Sequence, residues 1–523
     1  MLAVYPMAQT FFITTAIDYT NAAPHIGHAY EKILSDVVAR YHRLKGEPVF
    51  FLTGVDQHGQ KVQQTAAKEG MEPAAFAQGV TTKFIALWEK FGLSHDAWAA
   101  TTDPLHKAVV QKILQQLFDA GEIYKASYSG FYSVRQEQFL TDKERGPDGE
   151  FGPEWGEVNE ITEENYYFRL AKHRDWLLAY IDAHPGYVIP AFRQVELRNA
   201  VEKLAGDLCI SRPKARLEWG IELPFDAGYV TYVWFDALVN YISFGGYWNG
   251  ETPHNAAFDE RWPALHVIGK DIMAPAHGIY WPIILHAAGF TDAEIPPLLV
   301  HGYINIGGAK MSKSLGNIVD PAVLAEKYGP GALRYYLMRE TVTGQDMEFS
   351  EDRLVVRYNS DLANDLGNLL NRTLNMAKRY RASVLKRVDP ADPWLAEARA
   401  VAVQYAAKMD QFQVHAALEA AFGLAGKCNA YIEEQAPWKL AKDPALADQL
   451  DGVLYRLAEA LRILSILIAP VLPEAARGMA EQLNVTAEPT LVAALNAEAA
   501  LPDGHVLGAP TPLFPRIETE PKA

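Results

Sequence analysis

Along the first sixty residues, runs of β-branched and aromatic side chains alternate with a stretch whose apolar positions return every three or four residues. "TFFITTAIDY" (residues 10–19) is rich in Phe, Ile and Thr and closes on Asp18 and Tyr19, the pattern of a strand feeding a loop. Pro24 closes a short turn, and from there Ile26, Tyr30, Ile33, Leu34, Val37 and Val38 recur at helical spacing. "GEPVFFLTGVDQHG" (46–59) repeats the strand, with Asp56 and His58 at its carboxyl end. Two strands separated by a helix of about 15 residues predict a parallel βαβ unit, whose ligands sit outside the strand carboxyl ends.

"ALHVI" (264–268) and "LLVHGYINI" (298–306) are two more buried-type strands. Between them and the opening strands about one hundred residues interrupt the pattern, a segment running over 120–225. The far end is different. Leu362, Leu366, Leu369, Leu370 and Leu374 form one apolar helix face, and residues 416–438 and 455–483 carry comparable stripes, so an all-α bundle is expected over 361–523. The organisation read from these shifts is 1–119, 120–225, 226–300, 301–360 and 361–523.

Composition narrows this. A chain of 523 residues, 49% apolar and 21% charged, is folded and too long for one hydrophobic core. The longest apolar run, "ALRILSILIAPVLP", contains Arg462 and is broken by proline, so no membrane span is expected. The start lacks the basic region and cleavage site of an export signal. The two cysteines, Cys209 and Cys428, form no ligand cluster, and a cytoplasmic location with reduced thiols is expected. A formal charge of −16 argues against nonspecific DNA binding, though a basic strip on an acidic body still suits a nucleic acid.

Two stretches carry chemistry. "PHIGHAY" puts His25 and His28 around Gly27 at a helix start, where free N–H groups and the dipole favour anions and imidazoles can donate to phosphate oxygens. Gly27 leaves room for a flat ligand to approach the backbone. No third metal ligand follows locally. "GGAKMSKSLGN" holds Lys310 and Lys313 in a segment whose glycines and serines disfavour rigid helix, suited to laying ammonium groups on a polyphosphate. Taken singly, the first stretch also suits one packed and one surface histidine, and the second a solvated loop.

Together, "HIGH" at 25–28 and "KMSKS" at 310–314 resemble the signature pair of class I aminoacyl-tRNA synthetases. "TAIDYTNAAPHIGHAY", "FLTGVDQHGQKV", "YVWFDALVNYISF", "HVIGKDIMAPAHGIYWP", "YGPGALRYYLMRE", "EEQAPWKL" and "GAPTPLFPRIE" resemble the methionyl-tRNA synthetases, and the likeness spans essentially the whole chain. It implies an α/β Rossmann-type parallel sheet nucleotide domain with an inserted connective domain, followed by an all-α anticodon-binding bundle.

The resemblance also implies a set of site residues. Catalytic groups are His25, His28, Lys310 and Lys313, and Gly27, Gly269, Lys270 and Asp271 join them around ATP. Ala16, Ile17, Tyr19, Asp56, Trp234, Asp236, Tyr241 and His277 line the methionine site, with Asp56 receiving the α-ammonium. Independently, aromatic edges suit a polarizable thioether by roughly 0.3–1.5 kcal/mol per contact, although Trp234 and Tyr241 also suit a core. Asp271 and His277 stand one position further apart than is usual in the family. Asn368, Arg372 and Trp438 match the residues that read the anticodon, a set that suits unstacked bases; a bundle with no ligand of its own is the plainer alternative.

The implied reaction joins L-methionine to Mg²⁺–ATP, giving methionyl-adenylate and diphosphate, then passes the acyl group to the terminal 2′-hydroxyl of tRNA(Met), initiator tRNA included. Many relatives bind zinc in the connective knuckle. Here Ser133 and Gln136 stand at C-x-x-C positions, so no structural zinc is expected and the knuckle should be held by Tyr128, Phe131, Tyr132, Phe139, Phe151 and Trp155. A monomer without an appended dimerising RNA-binding domain is expected. The rival readings are a class I synthetase for another apolar amino acid and an RNA-binding scaffold with a decayed site.

Overall fold

The computed structural model describes residues 10–133, 138–140, 144–146, 148–248, 252–310 and 318–518. The predicted strands form: β1 (Phe11–Thr15), β2 (Asp18–Tyr19) and β3 (Val49–Asp56), with helix α1 (Ile26–Leu44) between the last two. At 19 residues α1 is longer than its apolar stripe suggests. β4 (Ala97–Ala100), β5 (Val188–Ile189), β6 (Leu265–Gly269) and β7 (Leu298–His301) complete a seven-stranded sheet of order β2-β3-β1-β6-β7-β5, with β4 also pairing β3. β2–β3, β3–β4, β1–β6 and β5–β7 all run parallel. The short β4 and β5 carry too few residues for a strand pattern and were not legible beforehand. The chain forms two units by contact density. One comprises residues up to Ala23, Leu52–Phe84 and Ala97–Leu299; the other comprises Pro24–Phe51, Ile85–Asp96 and the chain from Val300 onward.

In the first unit, the interruption between β4 and β6 folds as an antiparallel ribbon. Ile123–Ser133 pairs with Val158–Phe168 over its full length, from Ile123↔Phe168 to Ser133↔Val158. At its tip Phe131 and Phe151 pack 5.3 Å apart with the Arg145 guanidinium over both rings, and Tyr132 is buried. Tyr128, expected in that packing, is 37% exposed, although Tyr132 on the same face of the strand is buried. Gln136 and the Phe139 side chain lie outside the described residues. Further along the chain, helix α2 (Val233–Ser243) is buried from Phe235 to Ser243.

In the second unit, α1 departs from its sequence pattern. A single apolar stripe predicts one wet face, yet Glu31, Lys32, Ser35 and Asp36 are buried too. Each is satisfied by a partner distant in sequence or by a neighbour: His301 Nε2 lies 3.0 Å from Glu31, Lys32 bonds Glu31, and Ser94 donates to Asp36. Arg334 donates to Asp36 at 2.7 Å and to the carbonyls of Phe91, Pro470 and Val471. Burial pushes the Asp36 carboxyl up, but Arg334 and Arg40 hold it below the ordinary range. The bundle comprises α3 (Asn368–Arg381), α4 (Pro393–Met409), α5 (Val414–Gln435) and α6 (Ala447–Ile468). Leu362, Leu366, Leu369, Leu370 and Leu374 are all buried, as their spacing predicts. Arg462, which interrupts the most apolar run, is buried on α6 and donates twice to Glu459. Among the described residues no helix is long and apolar enough to cross a membrane.

Candidate active site

The two histidines of the opening motif cap their own helix. His25 is the N-cap residue of α1, and its Nδ1 accepts the Gly27 N–H at 3.1 Å; His28 Nδ1 reaches back to accept the His25 N–H at 3.1 Å. This is a capping box built from imidazoles. The rings stack with centroids 3.8 Å apart. Because each Nδ1 accepts, a neutral ring carries its proton on Nε2, so the end away from the cap is a donor. Burial first, then the charges of His25 and Lys32, hold His28 well below the ordinary histidine range, so it works as a neutral N–H donor. One expectation changes: the helix does not offer a row of free N–H groups, since Gly27 N–H is bound by His25 and Ile26 N–H by the Val319 carbonyl.

In the first unit, β2 and β3 bring Tyr19 and Asp56 side by side, as register partners at the carboxyl edge of the sheet. Asp56 is 7% exposed, and its Oδ1 accepts from the His58 N–H and the Thr101 hydroxyl. A Cβ on Gly59 would fall 2.5 Å from Tyr19 Oη, and Gly59 has φ +107°, so only glycine lets the loop close over the tyrosine. Ala16 and Ile17 follow β1 and are half-buried; the Ala16 N–H donates to Val267 on β6.

Asp236 was expected to touch substrate. Instead it is 1% exposed, and both its oxygens are engaged, Oδ2 with His58 Nδ1 at 2.6 Å and Oδ1 with His106 Nε2 at 2.8 Å. A carboxylate so committed orients imidazoles. His58 is further fenced by Trp219, whose ring stands edge-on at 5.4 Å and whose indole N–H donates to Gln57 O. His106 and Trp219 lie 48 and 161 positions from His58 in the sequence, with no local pattern to mark them.

The remaining aromatic set is assembled from α2 and the segment after β6. Trp234 meets His277 edge-on at 6.2 Å, and Tyr241 Oη lies 2.7 Å from His277 Nε2. His277 Nδ1 bonds the Ile272 carbonyl at 2.9 Å; a carbonyl only accepts, so in the neutral ring Nε2 is bare and Tyr241 donates to it. Trp234 is half-buried while Tyr241 is 1% exposed. Met273–Tyr280 coils as a π-helix with a non-helical residue at Ala274. At the far side of that turn His277 meets Tyr241. Gly269 caps the turn Lys270–Ile272 at the carboxyl end of β6. The Lys310 side chain and all of Lys313 lie outside the described residues.

In the second unit, Asn368 opens α3 and is exposed, and Arg372 one turn on donates to Glu433 at 2.6 Å in the last turn of α5. Trp438, just beyond the end of α5, is 37% exposed. Part of that indole therefore faces solvent. Among the described residues no three His, Cys, Asp or Glu side chains gather as a metal site. At the knuckle, Ser133 donates to the Trp155 carbonyl at 2.6 Å, and a hydroxyl in a hydrogen bond to backbone is not a zinc ligand.

The family model for class I tRNA synthetases (M) matches residues 11–148 and 155–374, and that for the anticodon binding domain of methionyl tRNA ligase matches 388–523. Methionine–tRNA ligase of Deinococcus radiodurans is 42% identical over 530 residues, covering 98% of this chain and 75% of that protein. The Bacillus subtilis enzyme is 41% identical, covering 98% and 78%. The solved structure of Mycobacterium tuberculosis methionyl-tRNA synthetase in complex with methionyl-adenylate aligns with a TM-score of 0.91 at 39% identity, over 97% of this chain and 100% of that one.

Proposed function

Because the chain belongs to the class I methionyl-tRNA synthetases and acts as a methionine–tRNA ligase, we propose how its own residues divide that work. It activates L-methionine with ATP and transfers the methionyl group to tRNA(Met). In the first step a methionine carboxylate oxygen bonds the α-phosphorus as the bond to diphosphate breaks. The nucleophile is already anionic, so no base is needed and positioning and charge stabilisation dominate.

Asp56 receives the α-ammonium, with Tyr19 beside it and Ala16 and Ile17 along the amino acid. Trp234, Tyr241 and His277 surround the thioether, and Asp236 acts through His58. The observation that carries this reading is the Tyr241–His277 bond edged by Trp234, in the same unit as the paired strand ends Tyr19 and Asp56. His25 and His28 donate Nε2–H to ATP phosphate oxygens over Gly27; Gly269, Lys270 and Asp271 contact the nucleotide; Lys310 and Lys313 meet the departing diphosphate. Magnesium arrives with ATP as part of the substrate. The knuckle works without zinc, a reading the Ser133–Trp155 bond supports. A cytoplasmic location fits the supply of aminoacyl-tRNA for protein synthesis. Amino-acid-dependent exchange of diphosphate into ATP tests the assignment: methionine supports it at least about tenfold better than leucine or isoleucine at equal subsaturating concentration. Parity among the three returns the chain to the reading of another apolar amino acid.

For tRNA, Asn368, Arg372 and Trp438 read the anticodon, Trp438 as a stacking platform. Its exposure supports this, and stacking is worth roughly 1–3 kcal/mol per base. Trp438→Ala is expected to lower aminoacylation efficiency by about fivefold or more while tRNA-independent exchange stays within about twofold. Equal loss of both in a protein whose thermal melt is unchanged removes the anticodon role.

A further inference from the structure

Under Tyr241 lies a ring to which none of these steps assigns a role. His266 of β6 is fully buried, its centroid 4.1 Å from that of Tyr241 at a tilt of 31°. Its Nδ1 lies 2.7 Å from Thr14 Oγ1 on β1, and the Trp281 indole N–H donates to its Nε2 at 3.1 Å. An indole nitrogen only donates, so Nε2 is bare and the ring's proton sits on Nδ1, given to Thr14. Burial, then the neighbouring His277, keep His266 far below the ordinary histidine range, and the ring stays neutral.

Two hydrogen bonds at opposite ends of an imidazole fix its plane, which a phenylalanine in the same slot would not do. The plate in turn sets the face on which the Tyr241 ring lies, and so the direction of its hydroxyl toward His277. We propose that His266 is a positioning residue for the amino-acid subsite: a neutral ring of fixed tautomer that holds the Tyr241–His277 pair in register for an unbranched thioether side chain. This rests on Tyr241 and His277 forming the thioether wall.

Steady-state diphosphate exchange with the full chain tests it. His266→Phe keeps a ring and loses both bonds; KM for methionine rises about tenfold while kcat and KM for ATP stay within about twofold. Thr14→Val, which removes one bond, raises KM for methionine about threefold. Tyr241→Phe is the control for the underlying reading. If it leaves KM for methionine unchanged, the thioether wall itself is wrong; if it raises KM while both His266→Phe and Thr14→Val behave as wild type, the positioning role is wrong. Equal deterioration of kcat and both KM values in His266→Phe reduces the ring to a packing element and overturns the proposal. Should His266→Phe not fold, nitrogen NMR of wild-type protein labelled in its imidazoles decides, the resonance being assigned by its shift in Thr14→Val. A protonated Nδ1 with a bare Nε2 from pH 8 to about pH 6 is expected; the opposite tautomer, or an imidazolium in that range, overturns it.

Discussion

Asp56→Asn lowers kcat/KM for methionine in diphosphate exchange by about a hundredfold or more, with KM for ATP within about twofold, as expected when one partner of a buried charge pair is removed at about 2–5 kcal/mol. The carboxylate lies at the carboxyl end of β3, 7% exposed, where an ammonium loses most of its water on binding and needs a full counter-charge. Asparagine keeps the oxygen that accepts from His58 N–H and Thr101, so the loop around it survives and the loss reports on substrate alone. Unchanged methionine KM and kcat in the folded variant would falsify the ammonium role.

The second large effect concerns the phosphate end. His25→Asn and His28→Asn each preserve the capping box, because the amide Oδ1 stands where the imidazole Nδ1 does and accepts the same backbone N–H, but the shorter amide ends at Nδ2 and puts no donor at the position of the imidazole Nε2. Adenylate formation is expected to slow by about 10²–10³ for each, the usual loss for one donor aimed at developing charge. KM for methionine stays within about twofold and the melting temperature within a few degrees. Wild-type exchange in both proteins would mean that the imidazoles serve only to cap α1. Since His28 is held neutral, activity gains nothing from its protonation, and its contribution is constant as pH rises from about 6.5 to 8.

Much of the molecule was legible in the chain. The strands at 10–19, 46–59 and 264–268 are runs rich in β-branched and aromatic residues suited to a covered sheet, and they form; the run 298–306 breaks in two, Leu298–His301 joining the parallel sheet and Ile304–Ile306 a separate three-stranded one. The leucines at 362–374 are spaced for one helix face and are buried on it. Local pattern fails where a contact joins distant positions. Asp236, read as a ligand for substrate from its place in "WFDAL", is committed to two histidines that precede it by 178 and 130 positions. The half-polar helix α1 reads as amphipathic, yet its polar side is buried against His301, Ser94 and Arg334.

Sequence by itself determined which residue types stand at the strand ends and helix start, because hydrophobic period and turn chemistry are local properties of the chain. It therefore fixed the parallel sheet, the interruption, the bundle and the two signature motifs. Only the tertiary structure decided protonation and direction. Nothing in "HIGH" says that both Nδ1 atoms accept backbone N–H groups and leave Nε2 as the donor, and nothing in "ALHVI" says that His266 is held between Thr14 and Trp281. Which ring nitrogen carries the proton depends on what lies opposite each of them: for His25 and His28 it is the backbone of their own helix start, and for His266 it is set by the packing of segments more than two hundred positions apart in sequence, such as β1 and β6.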